Sequence, residues 1–171
     1  MASRKGSRSS TLPDKSSVHA ALSAALARSL ATIAAAAEEA RRGATHEENR
    51  SEGDKDMRAT EQSYVARGQA MRTEQIAEEA ARFETIPVRR FEAGDRIATG
   101  ALVRVRVDDE PRVFFLSAQG GGTELDVGGV KITVLTPASP AGRSLIGKEV
   151  GDEFELVAAG RTRSWEIEEI S

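Results

Sequence analysis

The amino-acid sequence predicts an α+β protein: an antiparallel helical hairpin, or coiled coil, over residues 16–85, followed by a small antiparallel β domain with one short helix over residues 86–171. Three observations lead to this fold class. Apolar residues recur in steps of three and four through much of the first half of the chain, which is the period of an α-helix. The composition changes at Pro87. Beyond that residue, short runs of alternating apolar and polar residues are separated by glycines, as strands and turns are.

Residues 1–15 precede the hairpin and carry Arg4, Lys5 and Arg8 among serines. Such a composition buries too little apolar surface to fold, so it predicts a disordered basic arm. A plain flexible tail is the favoured interpretation, and light contact with nucleic acid is the alternative.

The first helix of the hairpin is predicted from an apolar stripe with helical spacing. Its members are Val18, Leu22, Leu26, Leu30, Ile33, Ala37 and Ala40. Alanine dominates the segment, which favours a helix and lets a second helix approach closely. We expect the helix to stop at Gly43, because glycine commonly follows a helix end and the preceding Arg41 and Arg42 suit the negative end of the helix dipole.

The helical pattern resumes after a polar stretch. Met57, Tyr64 and Met71 recur every seven residues, and Glu61, Gly68 and Gln75 take the other seam positions. The pattern then slips by one residue to Ile76, Ala80 and Phe83. Two amphipathic segments joined by a short polar turn predict an antiparallel hairpin, because neither apolar stripe is covered otherwise. The stretch THEENRSEGDKD then falls within the tip of the hairpin, residues 44–56. Its carboxylates form either a solvated loop or a tip that carries a cation to another molecule.

The total composition excludes several classes of function. Lys and Arg number 24 against 27 Asp and Glu, so the overall charge favours neither nucleic acid nor an anionic membrane. Cysteine is absent, which excludes disulfides, thiolate metal sites and cysteine nucleophiles. On this interpretation no apolar run approaches the roughly 20 residues that crossing a bilayer takes. We therefore expect a soluble, cytoplasmic protein without a membrane segment.

The second half of the chain predicts a small, mostly antiparallel sheet. Five segments have strand character: ALVRVRVD, RVFFLSA, VKITVLT, EFELVA and SWEIEEI. The segment SPAGRSLIG predicts a short helix, since Ser139 can cap it, Pro140 suits its first position and Gly147 follows its end.

The stretch ITVLTPASPAGRSLIGKEVGDEFEL, residues 132–156, resembles the C-terminal domain of the bacterial Gre transcript-cleavage factors. That family has a strand, a Ser-Pro pair, a short helix ending in Leu-(Leu/Ile)-Gly-Lys, and Gly-Asp before the next strand. The matching residues are Ser139, Pro140, Leu145, Ile146, Gly147, Lys148, Gly151 and Asp152. With the last strand, the resemblance covers residues 86–170, and a helical hairpin before this domain is the order that the family uses.

The resemblance implies an FKBP-like domain that docks on bacterial RNA polymerase beside its secondary channel. The docking residues that it implies are Ser139, Pro140, Leu145, Ile146, Gly147 and Lys148. It also implies a hairpin tip whose carboxylates help to hold a Mg²⁺ ion of the polymerase active site, near the 3′ end of the nascent RNA, while backtracked RNA is cleaved. Mg²⁺ suits this arrangement, because it prefers one or two protein carboxylates together with water and phosphate oxygens. The chain would then be a monomer that binds no Mg²⁺ stably alone and is not itself an enzyme.

Two alignments of the tip remain open. Glu48 and Asn49 reproduce a Glu-Asn pair of the family, although Ala44 stands where the family has aspartate. An ungapped count back from the second helix instead places Glu52 at the glutamate position and Asn49 at the aspartate position. Asp54 can substitute in either alignment. The candidate catalytic residues are therefore Glu48, Glu52 and Asp54, and the candidate metal ligands are Glu48 and Glu52.

Five residues have a structural interpretation, and for most of them a functional alternative stays open. Leu145 and Ile146 are equally compatible with core and with docking roles, and Trp165 is assigned to the core. Arg104 and Arg106 share one face of a strand, which indicates a solvated face first and a phosphate contact second.

Three functions follow, in order of preference. The first is a factor that enters the polymerase and stimulates transcript cleavage. The second is a regulator that binds the same channel without stimulating cleavage. The third is a stand-alone peptidyl-prolyl isomerase with a helical arm, which would need an aromatic-lined cleft.

Overall fold

The structure is a computed structural model of the whole chain. It describes residues 12–48, 64–65, 67–68, 70–75, 77–78, 81, 88–92, 94–158 and 160–171, with the backbone alone at 40, 41 and 43–48. The chain divides into two compact units. We call Met1–Ala21 together with Val88–Ser171 the β unit, and Leu22–Pro87 the helical unit.

Helix α1 spans Lys15–Glu48 and begins at an aspartate cap. The Asp14 carboxylate accepts a hydrogen bond from the Ser17 backbone N–H at 3.0 Å, and the Asp14 carbonyl accepts one from Val18 at 3.1 Å. The prediction of a disordered arm over residues 1–15 is therefore wrong at its end, where Leu12 and Lys15 are also buried. The Pro13-Asp14 pair is a helix-start signal that the composition of the arm concealed. Residues 1–11 lie outside the described part of the chain.

The far end of α1 also differs from the prediction. The helix continues through Gly43 to Glu48. A glycine costs a helix interior only about 1 kcal/mol relative to alanine, and good helix formers stand on both sides of this one. Residues 44–48 of the predicted tip therefore have helical backbone, while the rest of the tip, 49–56, lies outside the described residues.

The apolar stripe of α1 is confirmed by its burial. Val18 and Leu22 are fully buried, and Leu26, Leu30 and Ile33 are partly buried between exposed neighbours. The stripe is the least exposed face of the helix, as the spacing predicts.

One expectation about α1 is overturned. The segment Lys15–Glu39 is long and apolar enough, by length and composition alone, to cross a bilayer. The core helix of a soluble protein meets the same criterion, and so does an N-terminal signal sequence. Alanine gives the segment its apolar character, and Arg28 lies near its middle. The property is therefore weak evidence for a membrane role.

The second helical segment is confirmed at every described residue from 64 to 81. Its predicted seam is wrong, because the side chains of Tyr64 and Met71 are 69% and 59% exposed. These two residues share their face with Gly68 and Gln75, so the face offers little continuous apolar area. The turn between the two helical segments falls outside the described residues, and the hairpin connection stays a prediction.

The β unit contains a six-stranded sheet and a short helix. The elements are β1 Leu102–Val107, β2 Glu110–Leu116, β3 Glu124–Val127, β4 Val130–Leu135, α2 Pro140–Leu145, β5 Glu153–Ala158 and β6 Arg161–Ile170. The strand order is β3-β4-β2-β1-β6-β5. The α+β class and all five predicted strands are confirmed.

The prediction of an antiparallel sheet holds for four of the five pairings between these strands. The exception is β2 with β4, which run parallel. The reason is β3, a strand that the sequence analysis missed. Its hairpin with β4 reverses the chain once more, at Gly128 and Gly129, which have φ values of 61° and 79°. A Gly-Gly pair between two short alternating segments is the signal that identifies such a hairpin.

Trp165 lies in the main core, as predicted. It is 7% exposed and stacks on Phe114, with 5.1 Å between the ring centroids. The core is formed by one face of the sheet together with residues of α2 and of the segment before β1. Its members are Phe91, Ile97, Ala101, Val103, Val105, Val107, Phe114, Leu116, Leu145, Trp165 and Ile167.

The opposite face of β1 carries paired charges. Arg104 lies 2.7 Å from Glu169 of β6, and Arg106 pairs with Glu168 and Glu166. The hydrogen bond and the charge of Glu168 raise the pKa of Arg106 above its ordinary value. The two arginines thus have carboxylate partners in the sheet, which favours the interpretation as a polar face over a phosphate contact.

Lys15 anchors the first turn of α1 within the β unit. Its ammonium donates a hydrogen bond to the Arg89 carbonyl and lies 4.6 Å from the centroid of the Phe91 ring. The Arg89 guanidinium lies 4.7 Å from the same centroid. Burial first, and the charge of Arg89 second, lower the pKa of Lys15 to about 8. A buried lysine of this kind has no signal in the sequence, because its burial depends on a residue 74 positions away.

The lowered pKa of Lys15 predicts a pH-dependent stability. Between pH 8 and 10.5 the unfolded chain keeps the Lys15 proton and the folded chain loses it, so the folded state gains stability as the pH rises. Lys15→Met lacks the titrating group and is the reference for this effect. From pH 8 to 10.5, we expect the free energy of unfolding of the wild type to rise relative to that of Lys15→Met by up to about 3 kcal/mol. Denaturant unfolding followed by Trp165 fluorescence measures it. Lys131→Met, at an exposed lysine, is the control and should keep the wild-type pH profile; parallel profiles for wild type and Lys15→Met would contradict the assignment.

Candidate functional site

The six residues predicted as a docking site lie in and just after α2. Ser139 is the N-cap of this helix, as predicted, with φ −73° and ψ 151°. Its hydroxyl accepts a hydrogen bond from the Gly142 N–H at 3.1 Å and donates one to the Thr136 carbonyl at 2.8 Å. Pro140 occupies the first helical position. The hydroxyl is thus committed to the helix start, which leaves Ser139 a structural role.

Gly142 lets α2 lie directly on the turn that follows β4. A Cβ atom at this position would stand 2.0 Å from the Thr136 carbonyl oxygen, far closer than two such atoms can approach. The sequence analysis missed this requirement, because a glycine inside a short helix gives no sign of what it touches.

Leu145 and Ile146, which the sequence could not separate, have different roles. Leu145 is completely buried in the core, whereas 38% of Ile146 is exposed. The chain turns between them, and Gly147 adopts a φ of +83°, a left-handed conformation that favours glycine. Gly147 donates its N–H to the Ile97 carbonyl at 2.8 Å, and Ile97 donates to the Lys148 carbonyl at the same distance.

Lys148 stands beside the aromatic part of the core. Its ammonium lies 4.8 Å from the centroid of the Phe154 ring, and Phe154 contacts Trp165 with 5.7 Å between centroids. Val150, which sequence reasoning did not select, is 45% exposed. We call Ile146, Lys148 and Val150 the loop surface: two apolar side chains with a cation between them.

The Gly-Asp pair after the loop surface shapes the loop. The Asp152 carboxylate accepts a hydrogen bond from the Glu149 N–H at 3.0 Å, and Gly151 donates to the Ile167 carbonyl at 2.8 Å. Glu149 also pairs with Arg96 at 3.1 Å. These contacts connect both ends of the loop to the sheet and to the segment before it.

The described structure does not show the carboxylates of the predicted acidic tip. Glu48 is the last residue of α1, and only its backbone is described, while Glu52 and Asp54 lie outside the described residues. The described part of the chain contains no group of three or more His, Asp or Glu side chains that could hold a metal ion. The assignment of Glu48, Glu52 and Asp54 stays a prediction.

Comparison with known proteins finds a family model that matches the β unit. Residues 92–171 match the family model described as transcription elongation factor, GreA/GreB, C-term. This part of the chain is therefore similar to the C-terminal domain of the GreA/GreB factors, and the loop surface lies within the matched residues.

Curated relatives of the chain are named transcription elongation factor GreA. The chain is 35% identical over 100 residues to the transcription elongation factor GreA of Rhizobium leguminosarum bv. trifolii (strain WSM2304), covering 58% of this chain and 60% of the relative. It is 36% identical over 99 residues to GreA of Mesorhizobium japonicum, with the same coverage of both chains. The chain thus spans about 60% of the length of the curated relatives that it matches.

Two solved structures are also similar. GreA factor homolog 1 (Gfh1) of Thermus thermophilus is 17% identical, with a TM-score of 0.37, and the match covers 87% of this chain and 94% of that one. The prokaryotic transcription elongation factor GreA/GreB from Nitrosomonas europaea is 23% identical, with a TM-score of 0.34, and the match covers 58% of this chain and 78% of that one.

The close approach at Gly142 predicts a costly substitution. We expect Gly142→Ala to lower the free energy of unfolding of the β unit by about 1–3 kcal/mol, because the added methyl group must displace the backbone at Thr136. Denaturant unfolding followed by Trp165 fluorescence measures the loss. Gly68→Ala, at a helical glycine with open space around it, is the matched control and should leave this transition unchanged. Equal stability of Gly142→Ala and wild type would show that α2 does not lie on the turn as described.

Proposed function

We propose that the chain is a Gre-type transcription elongation factor that binds bacterial RNA polymerase at its secondary channel and stimulates the cleavage of backtracked RNA. The observation that carries the proposal is the GreA/GreB C-terminal domain at residues 92–171, preceded by a 34-residue helix and a second helical segment. The protein acts in the cytoplasm as a monomer. It is a cofactor of the polymerase and not an enzyme itself.

The loop surface is the proposed contact with the polymerase. Ile146 and Val150 expose apolar area in a loop whose backbone is fixed, and exposed apolar side chains on a rigid base are suited to binding a partner. Lys148 between them selects a partner surface with an acidic group. Of the other docking residues, Ser139, Pro140 and Gly147 set the path of the chain, and Leu145 secures the loop to the core.

The proposed role of the helices is to carry carboxylates into the polymerase. At about 1.5 Å per residue, the 34 residues of α1 give a length of roughly 50 Å. Glu48 is the last described residue of this helix, and Glu52 and Asp54 follow within six residues in the sequence. A Mg²⁺ ion bound to the polymerase and the RNA supplies the charge stabilisation for phosphodiester hydrolysis. This chain adds one or two carboxylates to the coordination of that ion. Its contact with the RNA 3′ end is indirect, through the ion.

A regulator that binds the polymerase without stimulating cleavage is the second candidate. The observation in its favour is the helical backbone through Gly43 to residue 48, together with Ala44 in place of the aspartate that the Gre resemblance implies. An isomerase is not supported: Trp165 is buried between Phe114 and Phe154 and lines no aromatic cleft in the described part of the β unit.

Binding to the polymerase tests the loop surface. We expect the double variant Ile146→Glu, Val150→Glu to weaken the affinity for purified bacterial RNA polymerase by about tenfold or more, since charge replaces apolar contact at the centre of the interface. Val88→Glu, at an apolar residue that is 40% exposed in the segment before β1, is the matched control and should bind as the wild type does. Unchanged affinity of the double variant, measured by fluorescence anisotropy, would remove the loop surface from the interface.

Transcript cleavage tests the tip. On a stalled, backtracked complex, the wild type should release short 3′ RNA fragments in a Mg²⁺-dependent reaction. We expect Glu48→Ala, Glu52→Ala to slow this release by roughly 10- to 100-fold, the range for lost carboxylates around a catalytic metal, while the affinity for the polymerase is kept. Glu110→Ala in the sheet is the control.

The outcomes separate the two candidate functions. Release by the wild type and normal release by the double variant would reject Glu48 and Glu52 as the site. Binding of the wild type without any release would favour the regulator.

A further inference from the structure

Strand β5 forms one edge of the sheet, and among the described residues it pairs with β6 alone. Edge strands leave alternate backbone N–H and C=O groups unpaired, so they are able to accept a further strand. Along β5, Glu153, Glu155 and Val157 are exposed, while Phe154 and Leu156 between them are partly buried against the core. The edge therefore presents two carboxylates, two residues apart, on one face of the sheet.

One of these carboxylates faces a like charge. Glu153 stands directly opposite Glu166 of β6, and like charges at opposite positions destabilise a sheet; the ion pair of Glu166 with Arg106, at 3.5 Å, moderates this repulsion. Asp152 adds a further exposed acid immediately before the strand. Within the described part of the chain, no cation forms an ion pair with Glu153 or Glu155. An external cation at this edge would relieve the repulsion.

On the other side of β6, the neighbouring strand β1 supplies cations to the acidic residues of β6. There, Arg104 and Arg106 of β1 stand two residues apart and pair with Glu169 and Glu166. A strand with basic residues at alternate positions is thus the natural neighbour of acidic positions on this face. No such strand lies on the outer side of β5 in the described structure.

The opposite edge of the sheet differs. Strand β3 has four residues, and its Asp126 accepts a hydrogen bond from the Gly129 N–H at 3.1 Å and stands opposite Lys131. Of the two exposed acids on that edge, Asp126 therefore has partners within the protein, and only Glu124, opposite Thr133, has no cation beside it among the described residues. A pair of unmatched carboxylates at alternate positions is found on β5 and not on β3.

We propose that β5 binds an extended segment of a partner protein with basic residues at alternate positions, Lys/Arg-x-Lys/Arg. The segment adds to the sheet through backbone hydrogen bonds, and its two basic side chains lie beside Glu153 and Glu155. A second copy of this chain is a poor occupant, because its own β5 would bring the same carboxylates. Nucleic acid is excluded by the same charge, since its phosphates would face three acids.

A peptide titration of the full chain tests the proposal. The probe is acetyl-Thr-Lys-Val-Lys-Val-Thr-amide, followed by the amide signals of ¹⁵N-labelled protein. We expect the signals of β5 and then those of β6 to shift, with the rest of the sheet unaffected. A peptide with glutamate in place of lysine should bind about tenfold more weakly or not at all. A lysine peptide with N-methylated alternate residues should lose binding too, since it cannot form the backbone ladder.

Variants of the chain complete the test. Glu153→Lys, Glu155→Lys should weaken binding of the lysine peptide by about tenfold, and Trp165 fluorescence during unfolding verifies that this variant is folded. Glu124→Lys, at an exposed acid on the opposite edge, is the control and should bind normally. Equal binding of the lysine and glutamate peptides, or shifts outside β5 and β6, would overturn the proposal. It would also be overturned if deleting residues 1–11 shifted the β5 signals without any peptide, because the occupant would then be the chain's own basic segment.

Discussion

The contact between Gly142 and the Thr136 carbonyl governs the arrangement of the loop surface. Because no side chain separates them, α2 lies on the backbone of the turn after β4, and Ser139 ties its first turn to the same carbonyl. Leu145 at the end of the helix then reaches the core. A larger residue at 142 would lift the helix and withdraw Leu145. The exposed Ile146 follows directly from this depth, since the residue after a fully inserted leucine must leave the core.

The residues that the sequence could assign are those whose role depends on local chemistry. Ser139 and Pro140 start a helix wherever the next residues are helical, so their roles are visible in the sequence alone. Leu145 and Ile146 are adjacent and equally apolar, so the sequence alone cannot tell which one is buried; the depth of α2 and the left-handed turn at Gly147 decide it. Gly43 was a wrong helix end for a related reason. Glycine costs a helix interior little free energy, and the helix propensity of the residues around Gly43 is larger than this cost.

Other features depend on residues that are distant in the chain and leave no local pattern. The parallel pairing of β2 and β4 follows from the hairpin that β3 makes, and β3 has only four residues. Lys15 is buried because Phe91 and the Arg89 carbonyl lie against it. Val150 belongs to the loop surface because Asp152 and Gly151 turn the chain beneath it. None of these contacts has a spacing that a sequence pattern reveals.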